Sequence, residues 1–244
     1  TSSATAANTL YYLYLDAYAR DLDITDYTIT GTATPEKKNM IATALQMQSA
    51  DTGYLTTSVS YNDESDAIGG VLAMEMYFAG AETWGNEQEG TKLGRNGALD
   101  YILAAMQDYP GGGKVFTFDS RYRVYTEEDA TVQADFALLM LRLADDPVYG
   151  KQAKAALADV LQAMENIVDS GLVKYTRSAA RYISAFVAAA DQTGSPLKRN
   201  HYLNLAEELM SDYIIPSAAA DGTFCKMVGD KAMSGDAEAS VAVL

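Results

Sequence analysis

The sequence holds one cysteine, one histidine and one tryptophan in 244 residues. A lone cysteine leaves no internal disulfide framework and no cysteine-based zinc site. A lone histidine, His201, leaves no multi-histidine metal centre and gives any Ser-His-Asp triad a single candidate. Cations are scarce: Lys and Arg total 18 against 33 Asp and Glu, a formal charge of −15. Nucleic acids and anionic bilayers both select basic surfaces, so no nucleic acid and no membrane surface is expected as a partner. No apolar run reaches the length of about eighteen residues that a membrane-spanning helix needs, so no membrane insertion is expected. The run Gly111-Gly112-Gly113 lacks the continuation of a phosphate-binding loop. Asp21-Leu-Asp23-Ile-Thr-Asp26 hints at calcium ligands but lacks the glycine and closing glutamate of an EF-hand. No metal and no cofactor is expected.

Apolar residues make up 48% of the chain, enough for a sizeable core and too many for a disordered acidic tail. Tyrosine is over-represented, 17 against 6 Phe. Its apolar ring and polar tip suit walls that are half core and half wet. The chain begins Thr-Ser-Ser-Ala-Thr and ends at Leu244 inside an apolar periodic run. It is therefore expected to be one domain, 1–244, cut from a longer parent and truncated at its C-terminus. An acidic, Thr- and Tyr-rich, nearly cysteine-free composition fits an exported bacterial protein, extracellular or on the cell surface.

Four short turns resemble one another: Asp51-Thr52-Gly53-Tyr54, Gly111-Gly112-Gly113-Lys114, Asp169-Ser170-Gly171-Leu172 and Asp221-Gly222-Thr223-Phe224. They recur about every 50–60 residues. Each ends an amphipathic helical stretch and is followed by a variable loop and a more apolar helical stretch. The apolar members are Leu10 to Ala19, Ala67 to Ala79, Ala130 to Leu143, Ala179 to Ala190 and Ala237 to Leu244. Their partners are Pro35 to Ser49, Asn96 to Asp108, Lys151 to Asp169 and Arg199 to Ile215. Asp129 to Leu143 is apolar around most of its circumference, as a helix buried on nearly all sides is. Lys151 to Glu165 keeps its charge on one face, as an outer helix does. Pro35 after Thr34 suits a helix start, and Gly53, Gly171 and Gly222 sit where a helix C-terminal turn takes a positive φ. No strand is expected; Val115-Phe116-Thr117-Phe118 is the only short β-like stretch. Alternating inner and outer helices predict an all-α fold, an α/α toroid, with about four and a half hairpins present.

The unit resembles the repeat of the α/α-toroid superfamilies. Gln46-Met-Gln48-Ser-Ala-Asp51-Thr-Gly53-Tyr54 is similar to the turn of the terpenoid cyclase and protein prenyltransferase group. Ala188-Ala-Ala-Asp-Gln-Thr193-Gly194-Ser195-Pro196, followed by Tyr202 and Asp221-Gly222, resembles the hairpin of six-hairpin glycan-active hydrolases and lyases. The resemblance covers nearly the whole chain and implies the fold more than the chemistry. Asp63-Glu-Ser-Asp66 departs from the DxDD motif of protonating cyclases, and Trp84 is the one Trp where Gln-Trp repeats need many. Cys225 and His201 lack the context of a prenyltransferase zinc site, and Cys-Gly-Glu-Gln is absent. These departures argue against isoprenoid chemistry.

In such a fold all outer-to-inner loops lie at one end. They run Leu55 to Ser65, Val115 to Glu128, Val173 to Ser178 and Cys225 to Gly235. Tyr61, Arg121, Arg123, Tyr125, Tyr175, Arg177 and Arg181 are candidate substrate-binding residues, because Tyr stacks on sugar faces while Arg hydrogen-bonds hydroxyls. Asp63 or Glu64 paired with Glu127 or Glu128 would supply the acid and base of a glycosidase. Tyr122 would take the proton α to a uronate carboxylate in a lyase, with an Arg neutralising that carboxylate. Each has a bland counterpart. Ser65 or Asp66 can cap one helix, Thr126 and Asp129 can form a capping box on another, and the arginine loop can be a solvated set of ion pairs. Arg181 in an apolar helix needs a partner, for which Asp135 is the candidate, and Glu75 poses the same question. His201 reads as a surface residue and Cys225 as a small packed side chain.

The residues point to a secreted or cell-surface glycan-active enzyme, a polysaccharide hydrolase or lyase, with oligosaccharide or another polar small ligand as partner. The alternative is a non-catalytic toroid module that binds a ligand or further domains of the same parent chain. Catalysis predicts functional groups facing open space; a module predicts the same groups paired with one another.

Overall fold

The computed structural model describes residues 10, 11, 13, 15, 20, 44–46, 48–55, 63–79, 83–117, 127–229 and 235–243, with backbone alone at 63–67, 127–129, 238 and 241. The described residues are mostly helical. Chain packing divides the molecule into two compact units, Thr1–Met106 and Gln107–Leu244.

In the first unit, helix α1 spans Asp63–Tyr77 and helix α2 spans Arg95–Ala104. Helix α1 buries Ile68, Val71, Leu72, Ala73 and Met74, and α2 buries Ala98, Leu99 and Ile102. Burying each large side chain of this kind contributes roughly 1.5–3 kcal/mol. The turn before them closes through an antiparallel bridge between Gln48 and Leu55. Buried Gln48 holds this turn to the start of α2. Its Nε2 donates to the carbonyls of Gly53 and Gly94, each at 2.8 Å, and its Oε1 accepts from the Gly94 N–H at 2.7 Å. Asn86 adds a donor to the same Oε1 at 2.9 Å.

The second unit carries four further helices of more than two turns: α3 (Glu127–Arg142), α4 (Gly150–Asp169), α5 (Thr176–Gln192) and α6 (Pro196–Leu209). A π-helical turn, Met210–Ile214, extends α6, a short α-turn, Ile215–Ser217, follows it, and α7 spans Ala237–Val243. Helix α3 is buried on nearly every side, from Ala130 through Leu141 with only Leu138 half-exposed, as its all-round apolar sequence predicts. Helix α4 buries one stripe, including Ala153, Val160, Met164 and Ile167, while α6 buries only Ala206 and Leu209. Within this unit the all-round apolar stretch is thus buried, and the amphipathic stretches bury one side only. Ser195 caps α6, accepting from the Lys198 N–H, with Pro196 at the first helical position.

Two expectations are corrected. A β-hairpin follows α2: strand β1 (Met106–Asp108) pairs with strand β2 (Lys114–Phe116) across Gly111–Gly113. The helical pattern therefore stops at Ala104 rather than Asp108. The hairpin holds because β2 has a second partner: buried Gln133 of α3 satisfies both backbone polar groups of Phe116, and the Phe116 and Phe136 rings stack at 5.5 Å. Helix α1 already runs from Asp63, so Ser65 and Asp66 lie inside its first turn and do not cap it. The Thr34-Pro35 start, Thr126 and the Asp21–Asp26 acids lie outside the described residues.

The glycine turns keep their assigned conformation, with φ of 82° at Gly53, 71° at Gly171 and 84° at Gly222. At Gly171 the α4 terminus is a Schellman motif. Leu172 N–H reaches the Ile167 carbonyl at 3.4 Å and Gly171 N–H the Val168 carbonyl at 2.9 Å.

Candidate functional site

Helix α5 begins where a segment of chain, not a side chain, satisfies its first amide. Tyr175 precedes it in extended conformation and makes no side-chain cap, and no acid occupies the first turn. Instead the Thr176 N–H donates to the Lys226 carbonyl at 2.9 Å and the Thr176 hydroxyl donates to the Cys225 carbonyl at 2.6 Å. An antiparallel bridge between Tyr175 and Met227 continues the contact. The Lys226 ammonium stands 4.8 Å from the centre of the Tyr175 ring, a cation–π arrangement. Arg177 lies in the first turn, half-buried.

Below this start, α5 and α3 meet along a polar seam within the apolar core. The Thr131 and Ser178 hydroxyls hydrogen-bond each other. The Tyr182 hydroxyl donates to the Ala130 carbonyl at 2.9 Å. One turn further, Arg181 Nη1 lies 3.6 Å from Asp135 Oδ1, with both side chains about 5% exposed. Ser178, Arg181 and Tyr182 share a face of α5 by i, i+3, i+4 spacing, and Thr131 and Asp135 share one of α3. Burial holds the Asp135 carboxyl above the usual carboxylate range, against the opposing pull of Arg181 and Arg177. Asp135 Oδ1 accepts no hydrogen bond, and the 3.6 Å approach of Arg181 Nη1 to it is an ion pair at contact distance.

Of the sequence-derived candidates, Tyr175, Arg177 and Arg181 come together at the start of α5. Arg181 points into the seam and is 4% exposed. Asp63 and Glu64 begin α1, and Glu127 and Glu128 begin α3. Tyr61, Arg121, Tyr122, Arg123 and Tyr125 lie outside the described residues. Glu75, the other buried acid, accepts two bonds from Arg95, at 2.7 and 3.0 Å. His201 is half-exposed and pairs with Glu165 at 3.0 Å, and Cys225 is a half-buried free thiol.

Sequence reasoning named Asp135 through Arg181 but missed the Thr131–Ser178 pair and the placing of Lys226 on Tyr175. A Thr and a Ser interrupting apolar helices were the only signal for the first; the second joins residues that no local periodicity connects. Among the described residues no three His, Cys, Asp or Glu side chains gather as a metal site, and no helix is long and apolar enough to cross a membrane. No protein-family model, curated protein or solved structure matches the chain.

Proposed function

We propose that the chain is an α/α-toroid domain of a secreted or cell-surface protein that acts on an acidic glycan by lyase chemistry. The observation that carries the reading is the start of α5. There the Lys226 ammonium stands on the Tyr175 ring, Arg177 lies in the first turn of the helix, and that turn holds no acid. In a chain of net −15, such a gathering of cations beside a stacking ring favours a sugar that itself carries a carboxylate. The alternation of buried and amphipathic helices supports the toroid.

In the proposed reaction a guanidinium neutralises the uronate carboxylate and so acidifies the adjacent C–H. Tyr122, as phenolate, takes that proton. The electron pair forms the C=C bond as the glycosidic C–O bond breaks, and the Tyr122 hydroxyl so formed gives its proton to the departing oxygen. Arg177 is the guanidinium at this helix start for that carboxylate.

The test is a panel of acidic and neutral polysaccharides incubated with the chain, read for new reducing ends and for ultraviolet absorbance of the unsaturated uronate. Absorbance with matching reducing ends on acidic substrates supports the lyase. Reducing ends without absorbance assign a hydrolase instead. Silence on the whole panel overturns the enzyme reading.

The second reading is a non-catalytic toroid module of a larger surface protein. The mutual pairing of Glu75 with Arg95 and of Asp135 with Arg181 favours it, because these charges hold the fold rather than face a ligand. Glycan binding without either product selects this reading.

A further inference from the structure

We propose that Lys226 is a charge-selective gate on Tyr175, admitting sugars that carry a carboxylate and disfavouring neutral ones; this rests on the acidic-glycan reading of the same site. The ammonium sits 4.8 Å from the ring centre. A sugar stacking on that face needs carbon contacts at about 3.5–4 Å, so sugar and ammonium cannot share it. The backbone cannot move apart to relieve the competition. Thr176 is bonded to the carbonyls of both Cys225 and Lys226, and Tyr175 bridges to Met227. The Lys226 side chain is exposed and is the part that can swing.

What the ammonium meets after swinging decides selectivity. A uronate brings a carboxylate to the rim of the ring, and the displaced ammonium exchanges its cation–π contact for a charge-assisted hydrogen bond. A neutral sugar displaces the ammonium and offers only hydroxyls in return. The same side chain therefore hinders one class and rewards the other. Arginine at this position would keep the discrimination, since guanidinium both stacks on aromatic faces and pairs with carboxylate.

The test titrates the full chain with oligogalacturonate and with its methyl ester, which removes the charge and keeps the ring, and follows binding by calorimetry. The wild type is expected to prefer the acid about ten-fold. Lys226→Met, which keeps an apolar stem and removes the charge, is expected to weaken acid binding several-fold, strengthen ester binding and erase the preference. Lys226→Arg is expected to retain it. Circular dichroism checks that both variants keep their helices. A Lys226→Met protein with the wild-type preference, or with equal losses for both probes, overturns the gate while leaving the site reading in place. A wild type that binds neither probe overturns the site reading and the gate together.

Discussion

Gln133 and Phe116 exchange both halves of an amide pair: the Phe116 N–H donates to Gln133 Oε1 at 2.8 Å, and Gln133 Nε2 donates to the Phe116 carbonyl at 3.0 Å. The side chain of an inner helix thus acts as a third strand edge for β2. Both groups are buried, so removing one partner leaves the other without water. Gln133→Met, close in shape but without the amide, is expected to lower unfolding stability by about 2–4 kcal/mol, measured as a shift in urea midpoint at unchanged slope.

Glu75 and Arg95 form a two-point fork from α1 to the first residue of α2, with side chains 8% and 20% exposed. Breaking either end strands a poorly hydrated charge. Glu75→Gln and Arg95→Met are each expected to cost about 1–3 kcal/mol, and the double variant less than their sum by about 1–2 kcal/mol. A double-mutant cycle on denaturant unfolding gives the coupling directly, and strict additivity would contradict the fork.

Asp135 sets a pH dependence of known sign. Its carboxyl ionises near the ordinary value of 3.8 in the unfolded chain and higher in the folded one, because burial outweighs Arg181 and Arg177. Its contribution to stability is full below the unfolded value and is lost as pH rises through the folded value. Unfolding free energies of wild type and Asp135→Asn, followed from acid to neutral pH, should therefore diverge. The wild type should decline relative to the variant by at most about 1.4 kcal/mol per pH unit. Parallel curves would mean that the carboxyl is not raised.

Gly113 and Gly171 share a left-handed conformation but not an environment. A Cβ on Gly113 would lie 2.3 Å from the Asp159 carbonyl oxygen and 2.6 Å from the Ala163 amide nitrogen, both backbone atoms of α4. A Cβ on Gly171 meets nothing within 4 Å. Gly171→Ala should cost only the left-handed backbone term, about 1–2 kcal/mol. Gly113→Ala should cost clearly more, because the hairpin must lift off the helix. Thermal unfolding of the two variants side by side checks the order.

The parts of the fold that follow from one-dimensional patterns were legible. The continuous apolar circumference of residues 130–143 announced a buried helix, and the one-sided charge of 151–165 announced an outer one. The Asp135–Arg181 pair followed from the cost of burying either charge alone. The β1–β2 hairpin was not legible, because its stability comes from a glutamine on a later helix and from the Phe116–Phe136 stack, not from its own six residues. The start of α1 at Asp63 escaped for a related reason: acids favour both a cap and a first turn, so composition alone does not fix which one they occupy. At the candidate site, Tyr175, Arg177 and Arg181 were visible as polar residues at the head of an apolar helix. Lys226 on the Tyr175 ring depends on where the chain returns after α6.

The glycine turns are closed by near neighbours: Gln48 with Leu55, β1 with β2, and Ala218 with Phe224. Such closures fix only short loops, so little chain entropy is lost before the first contacts form. Two of these turns are then held by a later segment, Gln48 on Gly94 and Gln133 on Phe116, so early closure and final stability come from different parts of the chain.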